Sequence, residues 1–401
     1  MFRTFFVLVF LFFFITCNLT YAGISAAEKA NLVSGLKNGG ALVVDGTGNS
    51  LFAYRENDSF IPASTIKVAT AASALKIFGN TYRFKTEFYK TEDGFLGIKG
   101  YGDPFLVSEE LALIANEIKR SGENFFKGIL IDTSYFSPNI VIDGASSSSN
   151  PYDAITGALV VNFNTISVVK QKNGQIVSGE PQTPLTPIAI AEAKRLGRGK
   201  HRVNLGNNRT KCVQYAGELI AAFLRKEGIV VSDPIKSGII PDSAHFLVLH
   251  KSSRTLEENV RELLEYSTNF MANQIFLVAG AKVHGAPATI EKAQMVLNEF
   301  LRNDVGWKNF RVVEGAGLSH LNRVTPKDMM ALLHYFEPNK NLLPLKEHLF
   351  LAKTGTLRGV NTFMGFFKSR EGKWIKFVFL INSPVSFDHK FKLAKELYRA
   401  L

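Results

Sequence analysis

The stretch Pro62-Ala63-Ser64-Thr65-Ile66-Lys67 opens a run of mostly apolar residues that continues to Phe78. Apolar residues lie on most sides of the helix that this run predicts, so we expect the helix to be buried. Side chains three residues apart meet on one helix face, which brings the lysine amine close to the serine hydroxyl. Burial disfavours the protonated amine and makes Lys67 a better base at neutral pH. The stretch therefore predicts a nucleophile, Ser64, with Lys67 beside it.

The Ser-x-x-Lys spacing is a weak signal by itself, because it occurs at Ser34/Lys37, Ser64/Lys67 and Ser167/Lys170. The third copy lies in a predicted strand, where residues three apart point to opposite faces. The first copy runs into a pair of glycines where a predicted helix ends. The middle copy alone opens a buried helix, so it is the candidate.

A second spacing, Ser-x-Asn, is equally common and occurs at Ser137/Asn139, Ser148/Asn150 and Ser267/Asn269. The first copy contains a proline, and the second lies in a serine-rich loop. The third lies in a predicted helical region that opens with a capping box, Thr255 with Glu258. Its hydroxyl can relay a proton and its amide can hold a substrate carbonyl. We therefore select the third copy.

The triplet Lys353-Thr354-Gly355 occurs once and is followed by Thr356 and a strand-turn-strand pattern. This pattern predicts that Lys353 lies on a strand beside a cleft. Gly355 lets a second backbone approach closely, as an edge strand that binds an extended peptide requires. The three motifs together are the signature of penicillin-binding proteins and class A β-lactamases.

With these motifs in order, the chain resembles the class C low-molecular-mass penicillin-binding proteins, the D-alanyl-D-alanine carboxypeptidase/endopeptidase family. Further stretches carry the resemblance: Gly102-Asp103-Pro104, Ile131-Asp132-Thr133-Ser134, Glu314-Gly315-Ala316-Gly317-Leu318-Ser319, Asn322-Arg323 and Ala352-Lys353-Thr354-Gly355-Thr356-Leu357. The resemblance implies an α/β (α+β) fold, a penicillin-binding-protein/β-lactamase-like transpeptidase domain at residues 23–82 and 246–401. A mostly β insertion at residues 83–245 would split that domain.

The resemblance also implies the activity, a serine-type carboxypeptidase or endopeptidase that acts on peptidoglycan stem peptides and that β-lactams inhibit covalently. Ser64 would attack the carbonyl of the penultimate D-alanine, with Lys67 as the base. Ser267 would relay a proton to the leaving amine, and Asn269 would position the substrate. Water would then hydrolyse the acyl-enzyme.

Substrate-binding residues follow from the same resemblance: Lys353, Thr354, Gly355 and Thr356 at the terminal carboxylate. The backbone N–H groups of Ser64 and Thr356 would form the oxyanion hole, usually the largest catalytic contribution. In the family, an aspartate of the insertion binds the free amine of a diaminopimelyl side chain. Asp153 falls at about that place, with an ordinary surface aspartate as the alternative.

Three departures from the family pattern concern the cleft. Thr268 stands where Asp or Asn is common, and Glu314 and Ala316 replace the usual Asp and Ser of Asp-Gly-Ser-Gly. The stretch between Asn322 and Lys353 is also shorter than usual. We expect the chemistry to be kept and the substrate preference to differ.

The start of the chain predicts export. Arg3 precedes an apolar run, and Thr20-Tyr21-Ala22 is typical of a cleavage site, so residues 1–22 are predicted to be a secretory signal peptide. The mature protein would be periplasmic or extracytoplasmic and soluble, with an uncleaved anchor as the alternative. Cys17 would leave with the signal, so Cys212 would have no disulfide partner.

Charge and composition narrow the partners. The net charge of +12 favours anionic partners, but export and the scatter of the basic residues argue against nucleic acid. The last predicted helix has one apolar face, formed by Phe391, Ala394, Leu397, Tyr398 and Leu401. We expect this face to pack on the sheet, with peripheral membrane or wall association as the alternative.

Two other functions share parts of this pattern. A β-lactamase-like hydrolase has the three motifs but lacks an insertion at this place. A non-catalytic peptidoglycan-binding protein could keep the fold, but it would have no need of Lys67. No cofactor and no metal site are expected, because the eight histidines show no metal-ligand spacing.

Overall fold

The structure, a computed structural model, describes residues 24–146, 148–206 and 208–401. The predicted signal peptide lies outside the described residues. The helices α1 to α10 are Ala26–Leu36, Lys67–Phe78, Ser108–Arg120, Pro187–Lys194, Arg209–Lys226, Leu256–Tyr266, Asn269–His284, Ile290–Asn303, Pro326–Phe336 and His389–Ala400. Short 3-10 helices lie at Ala63–Ile66, Pro151–Asp153, Asn162–Asn164 and Glu337–Leu342.

The strands form several sheets. In chain order, β1 to β16 are Gly39–Val44, Ser50–Tyr54, Lys85–Lys90, Leu96–Gly100, Phe125–Phe126, Ile129–Asp132, Thr165–Lys170, Ile176–Ser178, Gly199–Asn204, Val230–Val231, Ile235–Ser237, His245–Lys251, Leu345–Lys346, Phe350–Leu357, Val360–Lys368 and Trp374–Ile381. The main sheet is antiparallel in the order β13-β14-β15-β16-β1-β2. It joins the two ends of the described chain, because β1 pairs with β16.

Helices cover both faces of the main sheet, which explains why β1 and β15 are buried at nearly every position. Alternate residues point to opposite faces, so β15 directs Met364 and Phe366 to one core and Phe363 and Phe367 to another. The first core also contains α2 and the helices α6 to α9. The second contains α1 and α10, including the predicted apolar face of α10. The prediction that this face packs on the sheet is confirmed.

The inserted segment has its own core and its own sheets. One sheet has the order β11-β6-β4-β3-β12, and a smaller one has the order β8-β7-β9. The helices α3, α4 and α5 pack with these strands, so the segment is mixed rather than mostly β. Because β12 pairs with β3, this sheet extends to Lys251, beyond the predicted end of the insertion at residue 245. The division into domains stays a prediction.

The start of α6 was predicted correctly from the sequence, whereas its end was not. The predicted capping box of Thr255 and Glu258 opens α6. The helix predicted to continue past Ser267 is wrong, because α6 ends at Tyr266 and α7 begins at Asn269. Ser267 adopts a left-handed conformation, with φ of +55°, and this break changes the direction of its side chain.

Candidate active site

Ser64 lies on a short turn that is fastened to the main sheet. The turn Ala63–Ile66 is a 3-10 helix, and α2 begins only at Lys67. Thr362 of β15 donates from its hydroxyl to the Pro62 carbonyl at 2.8 Å. The side chain of Asn382, just after β16, accepts from the Ile61 N–H at 2.7 Å and donates to the Ile61 carbonyl. These bonds hold Ala63 in a left-handed conformation that costs an alanine about 1–2 kcal/mol.

Two glycines allow the backbone to close around Ser64. A Cβ on Gly355 would lie 2.9 Å from the Ser64 nitrogen and 2.2 Å from the Thr362 hydroxyl. A Cβ on Gly317, where φ is +82°, would lie 2.0 Å from the Ala63 carbonyl oxygen. The Lys-Thr-Gly strand and the Glu314–Ser319 turn therefore both pack closely against the Ala63–Ile66 turn. Their glycines are required by this contact.

Lys67 is fully buried and makes three hydrogen bonds. Its Nζ lies 2.8 Å from Ser64 Oγ, 2.8 Å from Asn269 Oδ1 and 2.6 Å from the Ala316 carbonyl oxygen. Burial lowers the pKa of Lys67 to about 7, and the negative charge of Glu314 opposes that effect. The amine is therefore close to half neutral at physiological pH.

The Ser-x-Asn motif lies opposite this turn, divided between two lysines. Asn269, the first residue of α7, faces Lys67, whereas the Ser267 hydroxyl lies 2.8 Å from Lys353 Nζ. The left-handed backbone at Ser267 makes this arrangement possible, because a continuous helix would not turn both side chains toward the cleft in this way. The motif thus connects Ser64, through Lys67, with the Lys-Thr-Gly strand.

Lys353 is buried on β14, and its Nζ also donates to the Thr354 carbonyl at 3.0 Å. Burial is the main reason why the pKa of Lys353 lies well below its usual value. Nearby cations add to this lowering: Lys67, Lys346 and Lys390. A buried ammonium group so placed gains most from an anionic ligand.

The outer edge of β14 is open beside the cleft. Strand β13 pairs only with Phe350 and Leu351, and the Ala352 N–H donates across this edge to the Pro344 carbonyl. Because N–H groups alternate between the two edges of a strand, those of Thr354 and Thr356 point to the same edge. This geometry fits the prediction that the Thr356 N–H faces the substrate.

The Thr356 hydroxyl has a partner that the sequence did not indicate. It accepts a hydrogen bond of 2.7 Å from Lys390 Nζ on α10, which also donates to the Gly355 carbonyl at 3.1 Å. Lys390 is fully buried, and burial lowers its pKa to about 8. In an amphipathic helix a single lysine is usually solvated, so only tertiary contacts could reveal this one.

Asp153 is half-buried in the insertion and is bonded to its own loop. Its Oδ2 accepts from the hydroxyls of Ser146 and Ser148 at 2.6 and 2.5 Å. It also lines a cavity of about 370 Å³ that Asn269 borders. The cavity makes contact with a substrate feasible, while the two serine hydroxyls already satisfy the carboxylate. Its predicted binding of an amine stays a prediction.

The described part of the chain has neither a metal-binding cluster nor a membrane-spanning helix. Residues 24–146, 148–206 and 208–401 contain no group of three or more His, Cys, Asp or Glu side chains arranged to hold a metal ion. None of the helices in these same ranges is long and apolar enough to cross a bilayer. Cys212, the cysteine in the described residues, is buried, and burial raises its pKa to about 12.

Comparison with known families gives a match over nearly the whole described chain. The matching family is described as the D-Ala-D-Ala carboxypeptidase 3 (S13) family, and it matches residues 27–196, 196–352 and 346–397. The chain belongs to this family. The S13 membership confirms the prediction that the motifs and the glycine-rich turn made together.

Individual relatives are similar to this chain along most of their length. D-alanyl-D-alanine carboxypeptidase DacB of Haemophilus influenzae is 23% identical over 427 residues, covering 90% of this chain and 89% of that protein. D-alanyl-D-alanine carboxypeptidase of Actinomadura sp. (strain R39) is 25% identical over 409 residues, covering 83% and 76%. The crystal structure of penicillin binding protein 4 from H. influenzae superposes with a TM-score of 0.76 at 21% identity, covering 92% and 99%. The predicted fold is confirmed.

Proposed function

We propose that this chain is a serine-type D-alanyl-D-alanine carboxypeptidase/endopeptidase that cleaves peptidoglycan stem peptides through an acyl-enzyme on Ser64. The single observation that carries the proposal is the buried Lys67 amine, bonded at once to Ser64 and Asn269. Family membership supplies the reaction class. Burying a lysine amine lowers the stability of the fold. A protein that only bound the wall would gain nothing in return for that cost, whereas an enzyme gains a base beside its serine.

The hydrogen bonds of Lys67 suit the neutral amine. A neutral amine has two N–H groups and one lone pair, and Lys67 has two pure acceptors in reach, Asn269 Oδ1 and the Ala316 carbonyl. The third neighbour, the Ser64 hydroxyl, can donate as well as accept. The lone pair is therefore left for the Ser64 proton. When that proton moves to Lys67, the resulting ammonium keeps all three partners.

The proposed reaction follows from these positions. Ser64 Oγ attacks the carbonyl of the penultimate D-alanine as its proton moves to Lys67, and the negative oxygen lies against the N–H groups of Ser64 and Thr356. Ser267 relays the proton taken up by Lys67 to the leaving nitrogen, so the C–N bond breaks and Lys67 becomes neutral again. Water then gives a proton to Lys67 as it attacks the ester. When the ester bond to Ser64 breaks, Lys67 returns that proton to Ser64 Oγ and the free serine is restored.

Substrate binding is proposed along the open edge of β14. An extended peptide can add to this edge through backbone hydrogen bonds, and the buried Lys353 ammonium, with Thr354 and Thr356, would receive its terminal carboxylate. Asn269 would hold a carbonyl of the acyl part. Asp153 would contribute only if a substrate amine displaced the hydroxyls of Ser146 and Ser148.

Endopeptidase activity is favoured by the space beside Ser267, the proposed proton donor to the leaving nitrogen. A cavity of about 670 Å³ borders Ser267 and Asn269 and continues to Arg202 and Glu180 of the insertion. A single D-alanine would occupy a small part of this volume, whereas a second stem peptide would extend into it. We therefore propose that cross-linked peptides are accepted as well as terminal D-alanine.

Labelling with penicillin tests the central claim. The purified protein should gain one penicillin adduct, located by mass spectrometry on the peptide that contains Ser64 and absent from Ser64→Ala. Ser34→Ala is the matched control, because Ser34 begins another Ser-x-x-Lys spacing and is exposed. A label that survives Ser64→Ala, or no label at all, contradicts the proposal. Rapid penicillin turnover without a lasting adduct supports a β-lactamase instead.

Muropeptides test the substrate. Release of D-alanine from pentapeptide monomers, compared with cleavage of cross-linked dimers, measures the two activities side by side. We also propose that the enzyme acts outside the cytoplasm after removal of residues 1–22. Mass spectrometry of the N-terminal peptide of the protein from its native cell tests this, because the mature chain should begin at residue 23.

A further inference from the structure

The turn that accepts a hydrogen bond from Lys67 is organised by a buried carboxylate. Glu314 is completely buried at the start of the Glu314–Ser319 turn. Its two oxygens accept from the N–H groups of Ala316 at 2.8 Å, Gly317 at 2.7 Å and Ser319 at 3.3 Å. The turn therefore wraps its own backbone around the carboxylate.

Two asparagine side chains complete the shell around this carboxylate. Asn322 donates to it at 2.8 Å, and Asn273 of α7 donates at 3.4 Å. The same two asparagines also fix the neighbouring backbone, since their carbonyl oxygens accept from the Val313 and Gly315 N–H groups. All these partners are uncharged N–H groups, so they satisfy the hydrogen bonds of Glu314 without neutralising its charge.

The organised turn contacts the segment Ala63–Thr70, which contains Ser64 and Lys67, at three points. The Ala316 carbonyl accepts from Lys67, and the Gly315 carbonyl accepts from the Thr70 hydroxyl one helical turn later, at 2.7 Å. Gly317 lies against the backbone of Ala63 and Ser64. A shift of the turn would therefore move the Ala316 carbonyl away from Lys67 and loosen the packing of Gly317 against the Ser64 backbone.

We propose that Glu314 is a positioning residue for acylation, which aims the Ala316 carbonyl at Lys67 and supplies the countercharge for the ammonium formed when Ser64 is deprotonated. This inference rests on the proposed function. It assigns to the Glu314 carboxylate a part in proton transfer, although it touches neither Ser64 nor the substrate edge of β14.

The charges around Lys67 determine how strong this effect should be. Burial disfavours the Lys67 ammonium. The charge of Lys67 is also one of the causes that lower the pKa of Lys353 on β14, so two ammonium groups at these positions repel each other. On α7 the facing group is the uncharged amide of Asn269. Glu314 acts in the opposite direction and raises the pKa of Lys67. Without Glu314 the amine would lose its proton at lower pH and would accept the Ser64 proton less readily.

The test is the pH profile of acylation by a fluorescent penicillin in Glu314→Gln. Removal of the charge should move the acid limb of the profile to lower pH by on the order of 1 unit and should lower the plateau rate at high pH. Glu314→Asp keeps the charge and should keep the midpoint near that of the unaltered protein. Asn322→Ala is the matched control, because it disturbs the turn while the carboxylate remains.

Two results overturn the inference. One is a Glu314→Gln profile with an unshifted midpoint, even if its plateau is lower, which would leave Glu314 a purely structural role. The other is an equal shift in Asn322→Ala. An NMR titration of lysine Cε carbons, with the Lys67 signal identified by its loss in Lys67→Met, reads the same midpoint without any acylation. That measurement separates failure of this inference from failure of the proposed function.

Discussion

The Ser64 centre and the Asp153 loop are both built on hydrogen-bonded side chains, but their partners come from different distances along the chain. Lys67 is bonded to residues 202 and 249 positions away. Asp153 is bonded to residues 5 and 7 positions away. Lys67 is fully buried, whereas the loop of Asp153 is mostly exposed.

This difference shows which part of the site the fold holds in place. A centre assembled from distant segments can be lost only with much of the fold, so its geometry is strongly determined. A loop that satisfies its own carboxylate can change shape at small cost, because its hydrogen bonds are local. We therefore expect substitutions in the centre to lower the rate of acylation strongly. Substitutions in the loop should change the local structure of the loop and leave that rate nearly unchanged.

The largest expected effect is that of Lys67→Met, which keeps the length of the side chain and removes the base. Acylation by penicillin should slow by about 10³-fold or more, within the range that general-base groups contribute. A stopped-flow or gel-based labelling assay measures this rate. Lys37→Met, in the exposed Ser-x-x-Lys copy, should leave it unchanged. If both variants labelled equally fast, the buried centre would not be the site of acylation.

The second effect is the pH dependence of the unaltered protein. The active form has a neutral Lys67, whose pKa is about 7, so acylation should rise as the pH increases through 7. Between pH 5 and pH 7 the neutral fraction, and with it the rate, should increase by roughly 50-fold. At higher pH the rate should fall as Lys353 loses its proton, below the value usual for lysine. A flat profile between pH 5 and pH 8 would contradict this assignment of Lys67.

A smaller effect is expected behind the substrate strand. Lys390→Met should lower acylation by about 10-fold, because the buried cation ties the Gly355 carbonyl and the Thr356 hydroxyl to α10. Lys392→Met, on the exposed side of the same helix, is the control. Differential scanning fluorimetry should first show that both variants are folded at the temperature of the assay, so that the two acylation rates can be compared. Equal rates would mean that the end of β14 needs no support from α10.

The smallest effect is expected at the loop. Asp153→Ala should change the cleavage of muropeptides by less than about 3-fold and should cost about 1 kcal/mol of stability, the usual value of a lost hydrogen-bond partner. The informative comparison uses muropeptides with and without a free amine on the third residue. A large loss confined to the free-amine substrate would break the contrast between the two regions. It would show that Asp153 exchanges its serine partners for substrate.

The sequence was most informative where chemistry and local structure require the same residues. Ser64 and Lys67 were selected because spacing and secondary structure together exclude the other copies of their motif, and Lys353 was selected because its motif occurs once. The α1 helix, the β15-β16 hairpin and the capping box of α6 were found because each has a local signal.

The features that were not predicted from the sequence depend on tertiary contacts. No glycine or proline in the sequence predicts the break at Ser267, whose backbone is left-handed. Its hydroxyl is bonded to Lys353, which is distant in sequence. Lys390 has the same local pattern as its solvated neighbours on α10, and only the fold buries it.

The pairing of β1 with β16 has a consequence for the time course of synthesis. A ribosome completes Ser64 and Lys67 early, but their partners on α7, the Glu314–Ser319 turn and β14 follow much later. The buried strand β1 must wait for β16, its partner from a much later part of the sequence. Such non-local pairing folds slowly and leaves apolar strand edges exposed in the meantime. A nascent chain should therefore be inert toward penicillin and dependent on helper proteins, and covalent labelling should count only molecules that have folded to completion.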